Sequence, residues 1–206
     1  MQNDREAHWQ SVYSTKSETE LSWFQESPAV SLELLRLAGA QARSAIVDIG
    51  GGDSRLVDHL LSEGFQDLTV LDLSASALDR TKQRLGGLAD RVCWVASDVT
   101  KWSPPKTYDI WHDRAAFHFL VDPADQQAYV ERLRTALAVG GVAIIGTFAP
   151  DGPEKCSGLV VARHDARSLA RVLGPGFELI VERRHEHHTP WGATQIFQFS
   201  VFRRTN

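Results

Sequence analysis

An apolar pentapeptide, Ala45-Ile-Val-Asp-Ile49, runs straight into three consecutive glycines and then into an amphipathic stretch ending at Leu60-Leu61, with no linker between them. Glycine tolerates φ > 0 and carries no Cβ, so this backbone can turn sharply and approach a ligand closely. A second apolar run, Leu68-Thr-Val-Leu-Asp-Leu-Ser74, carries an acidic residue near its end, and Asp72 lies 22 positions after Gly50. Nucleotide-binding βαβ units place a carboxylate on ribose hydroxyls at a spacing of about 20 residues. The segment predicts a strand–turn–helix–strand unit with a nucleoside at its turn.

The rest of the chain repeats the same alternation. Strands are predicted over 45–49, 68–71, 92–95, 108–111 and 142–147, and helices over 54–62, 75–85, 123–139 and from a cap at Asp165 to Leu173. Ser74 and the Asp122-Pro123 pair are helix-start signals, and Gly140-Gly141 is a stop signal. Strands that alternate with helices call for a mostly parallel sheet with right-handed crossovers. The end breaks the rhythm: 177–184 and 194–202 are two apolar runs with only His185–Gly192 between them, read as a hairpin loop, so the last pair is antiparallel. Upstream, a polar helical stretch runs to Lys16, and Pro28 starts a helix whose apolar residues include Leu32, Leu35 and Leu37, with Gly39 as its stop. The expected architecture is a single α/β domain over 1–206, with a helical lid (1–40) on a core (41–206). Its seven-stranded, Rossmann-like, mostly parallel sheet has helices on both faces and a C-terminal antiparallel hairpin.

Composition narrows the function. A net charge of −4 with scattered Lys and Arg gives no nucleic-acid footprint. No apolar run approaches the roughly 20 residues of a membrane span, and the start Met1-Gln-Asn-Asp-Arg-Glu6 does not read as a signal peptide. Two cysteines make no disulfide framework, so a reduced, cytoplasmic setting is expected.

A dinucleotide fingerprint G-x-G-x-x-G is met at Gly50 and Gly52 but fails at Arg55. Asp48 and Asp53 also sit badly beside a pyrophosphate, whereas a cationic ligand would gain from them. S-adenosylmethionine (SAM), with a sulfonium and an ammonium beside its adenosine, is such a ligand. From about residue 40 to 203 the chain resembles the class I SAM-dependent methyltransferases. The D-x-G-x-G-type loop is met by Asp48, Gly50 and Gly52 around Gly51, with Ser54 where many members have a third glycine. The resemblance assigns Asp72 to the ribose, with Leu73 beside the adenine, and Asp98 to the adenine edge, with Val99 on the ring. It matches His112–Leu120 to the motif after strand four, with Asp113 on the cofactor side and Phe117 on the acceptor side. More loosely, Trp9–Gln25 resembles the lid segment of small thiopurine- and thiol-methylating enzymes.

What this resemblance implies is methyl transfer to a small-molecule acceptor, a thiol or another soft nucleophile. The alternatives are a protein side chain as acceptor, or a SAM-binding regulatory protein without catalysis. His112 and His118 bracket the acceptor motif and are the candidate general bases; the competing reading is a packed or capping histidine. Arg114 either holds a substrate carboxylate or pairs with Asp113 or an N-terminal acid. Trp23, Phe24 and Trp191 are candidates to wall the acceptor site, with Tyr13 and Trp9 closing over SAM by cation–π attraction; equally, they can pin the N-terminal segment to the domain. His185-Glu-His-His188 lacks a third metal ligand at convincing spacing, so no metal is expected. Cys156 is a candidate to face the pocket, although a lone cysteine is more often inert.

Overall fold

The computed structural model describes residues 2–206. Six helices are present among them: α1 (Gln2–Thr15), α2 (Ala29–Leu37), α3 (Leu56–Ser62), α4 (Ala75–Leu85), α5 (Pro123–Ala136) and α6 (Ala166–Leu173). The strands are β1 (Ala45–Ile49), β2 (Asp67–Asp72), β3 (Val92–Ala96), β4 (Tyr108–Arg114), β5 (Leu137–Phe148), β6 (Lys155–Cys156), β7 (Leu159–Val160), β8 (Phe177–His188) and β9 (Thr194–Arg204). Seven of them form one sheet in the order β3-β2-β1-β4-β5-β9-β8. The first five are parallel, and β9 runs antiparallel to both β5 and β8. This is the expected Rossmann-like sheet with its terminal antiparallel pair.

Period-two alternation along the strands feeds two separate cores. Ile46, Ile110, Val142 and Ile144 point to the face covered by α2 and α3. Val47, Trp111, Ala143 and Ile145 point to the face covered by α5 and α6. Each fully buried aliphatic side chain contributes roughly 1.5–3 kcal/mol, so the central strands carry most of the stability. A third, small cluster of Val12, Tyr13, Leu21 and Ala77 seats α1 on α4. Capping follows the expected chemistry: Ser74 Oγ accepts from the Ala77 N–H, Asp122 from Ala124, and Asp165 from Ser168.

Three boundaries differ from expectation. Strand four continues through Arg114, because His112 and Asp113 pair with both Asp48–Ile49 and Ile144–Ile145. The helix expected to reach Val139 ends at Ala136, because Leu137 is already extended and pairs with Tyr108. Leu137-Ala-Val139 fits either period, and the buried strand position of Leu137 decides between them. Finally, His185–His188 is not loop: it pairs with Phe197–Thr194, which leaves only 189–193 as the hairpin turn. A two-stranded ribbon of β6 and β7 was not expected at all.

Candidate cofactor and acceptor site

The sheet order reverses between β1 and β4, and a ligand crevice is expected outside the strand ends at such a switch point. There the three glycines meet three different demands. Gly50 has φ +66°, and a Cβ on it would stand 2.7 Å from the Ala116 Cβ. A Cβ on Gly51 would stand 2.5 Å from Asp48 Oδ2, and one on Gly52 would stand 2.5 Å from Asp72 Oδ2. The turn is therefore packed directly against two carboxylates, which no larger residue would allow. Its N–H groups hold it there: Gly50 and Gly51 donate to the Leu71 carbonyl at 2.7 and 3.3 Å, and Gly52 donates to Asp72 Oδ2 at 3.0 Å.

A two-lobed crevice opens beside this turn. One lobe is lined by Asp72, Leu73, Asp98 and Val99 with the aromatic residues Trp9, Tyr13, Trp23 and Phe119. The other is lined by Asp48, Gly50, Gly51, Asp53, Phe24, Arg55 and His112. Tyr13, Trp23, Gly50 and Arg114 border both lobes. Asp72 accepts from the N–H groups of Ser74 and Gly52, yet burial outweighs those bonds and raises its pKa to about 6. Asp98 accepts from the Thr100 N–H and hydroxyl, and the Arg5 guanidinium stands 3.9 Å away.

Asp53 does not offer a free charge to a cationic ligand. It is paired with Arg80 at 3.2 Å and with Arg84 at 2.8 Å. Ser54, at the expected third-glycine position, turns its hydroxyl to the Leu56 N–H and so starts α3.

The residues after β4 separate by strand parity. His112 points to the α2 face, where Nδ1 meets Asp48 Oδ1 at 2.7 Å and Nε2 meets Ser31 Oγ at 2.9 Å. Asp113 points to the α5 face and accepts from the Ala116 and Phe117 N–H groups and from the Tyr129 hydroxyl. It is fully buried outside the crevice wall, and burial raises its pKa to about 6. Arg114 returns to the crevice. It donates to the Trp23 carbonyl at 2.9 Å and lies over the Phe197 ring, with no carboxylate partner within 4.0 Å among the described residues. Burial lowers its pKa to about 10.

Phe117 and His118 are fully buried behind the turn rather than in the crevice wall. His118 Nδ1 accepts from the Phe148 N–H at 3.4 Å, and burial drives the ring pKa down to about 3, so it stands neutral. Trp191 is 60% exposed at the hairpin tip and lines neither lobe. His187 lies inward on β8, within reach of the Ser22 carbonyl and Gln25, and fixes the segment that carries Trp23. Among the described residues no group of three or more His, Cys, Asp or Glu is arranged to hold a metal.

Sequence reasoning missed Arg5, Ala116 and Phe119, which line the first lobe, and Gln10, which accepts from the Ser74 hydroxyl and the Ser76 N–H and ties α1 across the cleft. On α1 the aromatic residues Trp9 and Tyr13 were legible as a cover for the cleft, whereas the polarity of the rest of the helix does not say which of its polar side chains reach the cleft. Cys156 does line the first lobe, and burial raises its thiol pKa to about 11.

Residues 47–143 match the family model described as a methyltransferase domain. Nodulation protein S of Rhizobium tropici is 29% identical over 124 residues, which are 60% of this chain and 51% of that protein, so the match spans about half of its length. EEF1A lysine methyltransferase 2 of Danio rerio is 26% identical over 168 residues, 78% of this chain and 66% of that protein. The solved 1,6-didemethyltoxoflavin-N1-methyltransferase of Burkholderia thailandensis, with 1,6-didemethyltoxoflavin and S-adenosylhomocysteine bound, superposes with a TM-score of 0.70 at 20% identity, over 99% of this chain and 90% of that one. Glycine turn, switch-point crevice, sheet order and family match agree: residues 47–143 match a methyltransferase domain, and the chain is similar in sequence and fold to SAM-dependent methyltransferases.

Proposed function

We propose that the chain transfers a methyl group from SAM to a small molecule bearing a soft, readily ionised nucleophile. The observation that carries this reading is the crevice itself: a glycine turn seated on Asp48 and Asp72, opening toward an aromatic wall and the carboxylate-free cation Arg114. Asp72 would accept from the ribose hydroxyls, Asp98 would face the adenine edge, and Leu73 and Val99 would pack on its ring. Asp48 would face the ammonium of the amino-acid end. When bound, SAM supplies a methyl group already activated by the sulfonium.

What remains for the protein is alignment and the exclusion of water, and such positioning can lower a barrier by roughly 7–11 kcal/mol. Trp9, Tyr13, Trp23 and Phe119 form a contiguous aromatic wall, with centroid separations of 4.9 Å for Trp9–Phe119 and 5.6 Å for Trp9–Trp23. Their faces favour a cation in the cleft. His112 has both ring nitrogens engaged with Asp48 and Ser31, and His118, its pKa lowered to about 3, is a weak base behind the wall, so this reading assigns the acceptor's proton to neither. An acceptor that ionises near neutral pH, such as a thiol, needs little help from a base. Arg114 would draw its anionic form into the crevice.

The relative acting on a lysine of a protein favours a second reading, with a protein side chain as acceptor. Methyl-label transfer separates the two. Label from SAM is expected on members of a panel of thiols, phenols and carboxylates, with thiols fastest. Label confined to protein in a cell lysate would replace the small-molecule reading by the second.

A further inference from the structure

Ser31, His112 and Asp48 form one continuous polar chain beneath the glycine turn. Ser31 Oγ lies 2.9 Å from His112 Nε2, and His112 Nδ1 lies 2.7 Å from Asp48 Oδ1. The three residues are 1%, 2% and 5% exposed. One neutral tautomer satisfies the whole chain: Nδ1–H donates to the carboxylate, and Nε2 accepts from the Ser31 hydroxyl. A buried network with every member paired is rigid, whereas a half-paired one is costly.

The second oxygen of Asp48 lies directly under Gly51, so the carboxylate is gripped between the imidazole and the turn. Asp48, Gly51 and His112 all border the lobe that also holds Arg55 and Arg114, apart from the lobe of Asp72, Leu73, Asp98 and Val99. Ser31 belongs to α2, which follows directly on the Trp23–Pro28 segment bordering that same lobe.

We infer that His112 is a positioning residue: with Ser31 it orients Asp48 toward the ammonium of the cofactor's amino-acid end. The inference rests on the SAM reading and deepens it. A role confined to the amino-acid end predicts a split between two ligands. S-adenosylhomocysteine carries that end, and 5′-methylthioadenosine keeps the adenosine and thioether without it.

The test is calorimetric binding of both ligands to the full chain. His112→Ala is expected to weaken S-adenosylhomocysteine at least tenfold and to leave 5′-methylthioadenosine within twofold of wild type. His112→Asn, which keeps an N–H donor toward Asp48, is expected to restore most of the loss. Ser31→Ala leaves the His112–Asp48 contact in place but frees the ring, and a loss of about threefold on S-adenosylhomocysteine alone is expected. This milder variant carries the same split should His112→Ala fail to fold. Equal weakening of both ligands would overturn the inference, since it reports general disruption of the crevice. Unchanged affinity with lowered turnover would overturn it in favour of a base. Wild-type protein that binds neither ligand would remove the SAM reading and this inference together.

Discussion

Asp72 has both carboxylate oxygens engaged by backbone N–H groups, yet its pKa stands near 6 because burial penalises the charge more than those bonds favour it. A ligand whose hydroxyls donate to this carboxylate needs the ionised form. Protons therefore compete with the ligand as the pH falls through 6. Affinity for S-adenosylhomocysteine is expected to be flat above about pH 7 and to fall toward tenfold per pH unit well below 6, equivalent to about 1.4 kcal/mol for each unit. Toward folding the same shift acts in the other sense. A carboxyl whose folded pKa is raised gives stability that is fully present below its ordinary 3.8 and is lost as the pH rises through about 6. Calorimetry between pH 5 and 8 on wild type and Asp72→Asn separates the binding effect. The variant should bind more weakly and lose the pH dependence, and a wild-type profile that stays flat would dismiss Asp72 as the ribose ligand.

The end of β4 and the turn after it act as one element. Asp113 collects two N–H groups of the turn and the Tyr129 hydroxyl of α5, and that hydroxyl accepts from Trp111 Nε1 at 2.7 Å. This anchoring holds Ala115 at φ +67°, where a residue other than glycine is strained, and sets Ala116 against Gly50. Tyr129→Phe removes one bond to a charged acceptor and strands the indole N–H. The expected loss is about 1.5–3 kcal/mol of stability, read as a lower urea midpoint at unchanged slope. A midpoint equal to wild type would mean that the turn does not depend on this anchor. The same element shows how far the sequence could be read. The glycine turn and Asp72 were legible because their geometry is local, fixed by residue type and by a spacing within one βαβ unit. The motif His112–Leu120 was legible as a motif, but the direction of each side chain was not. That depends on β4 continuing to Arg114. With Ile110 and Trp111 on opposite faces, continuation sends His112 toward Ser31 on α2, Asp113 toward Tyr129 on α5, and Arg114 back to the crevice. A strand stopped at Trp111 leaves all three undetermined. Trp191 failed for another reason: aromatic character marks a candidate wall, while the short 189–193 turn carries that side chain outward.

At the scale of the whole molecule, a two-faced core carries a separate cover. Among the described residues, the two large clusters that sandwich the sheet draw on none before Trp23. α1 and Lys16 after it touch the rest through the buried Val12 and Tyr13, through Trp9 against Phe119 and Trp23, and through polar ties: Arg5 to Asp98 and Asp125, Gln10 to Ser74 and Ser76, and Arg80 to the Lys16 carbonyl. Burial of two side chains gives the cover roughly 1.5–3 kcal/mol each, and ordering a helix of this length opposes that gain. Removing residues 1–16 should therefore leave a protein that still unfolds cooperatively in urea, with the far-ultraviolet signature of an α/β sheet. The cleft, by contrast, would lose Trp9 and Tyr13 and with them much of its aromatic wall. Calorimetric affinity for S-adenosylhomocysteine is then expected to fall at least tenfold. Full affinity in the truncated chain would mean that α1 is only pinned to the domain and does not close over the cofactor. Loss of the cooperative transition would mean that α1 is part of the folding unit, and that its few contacts support the core more than their buried area indicates.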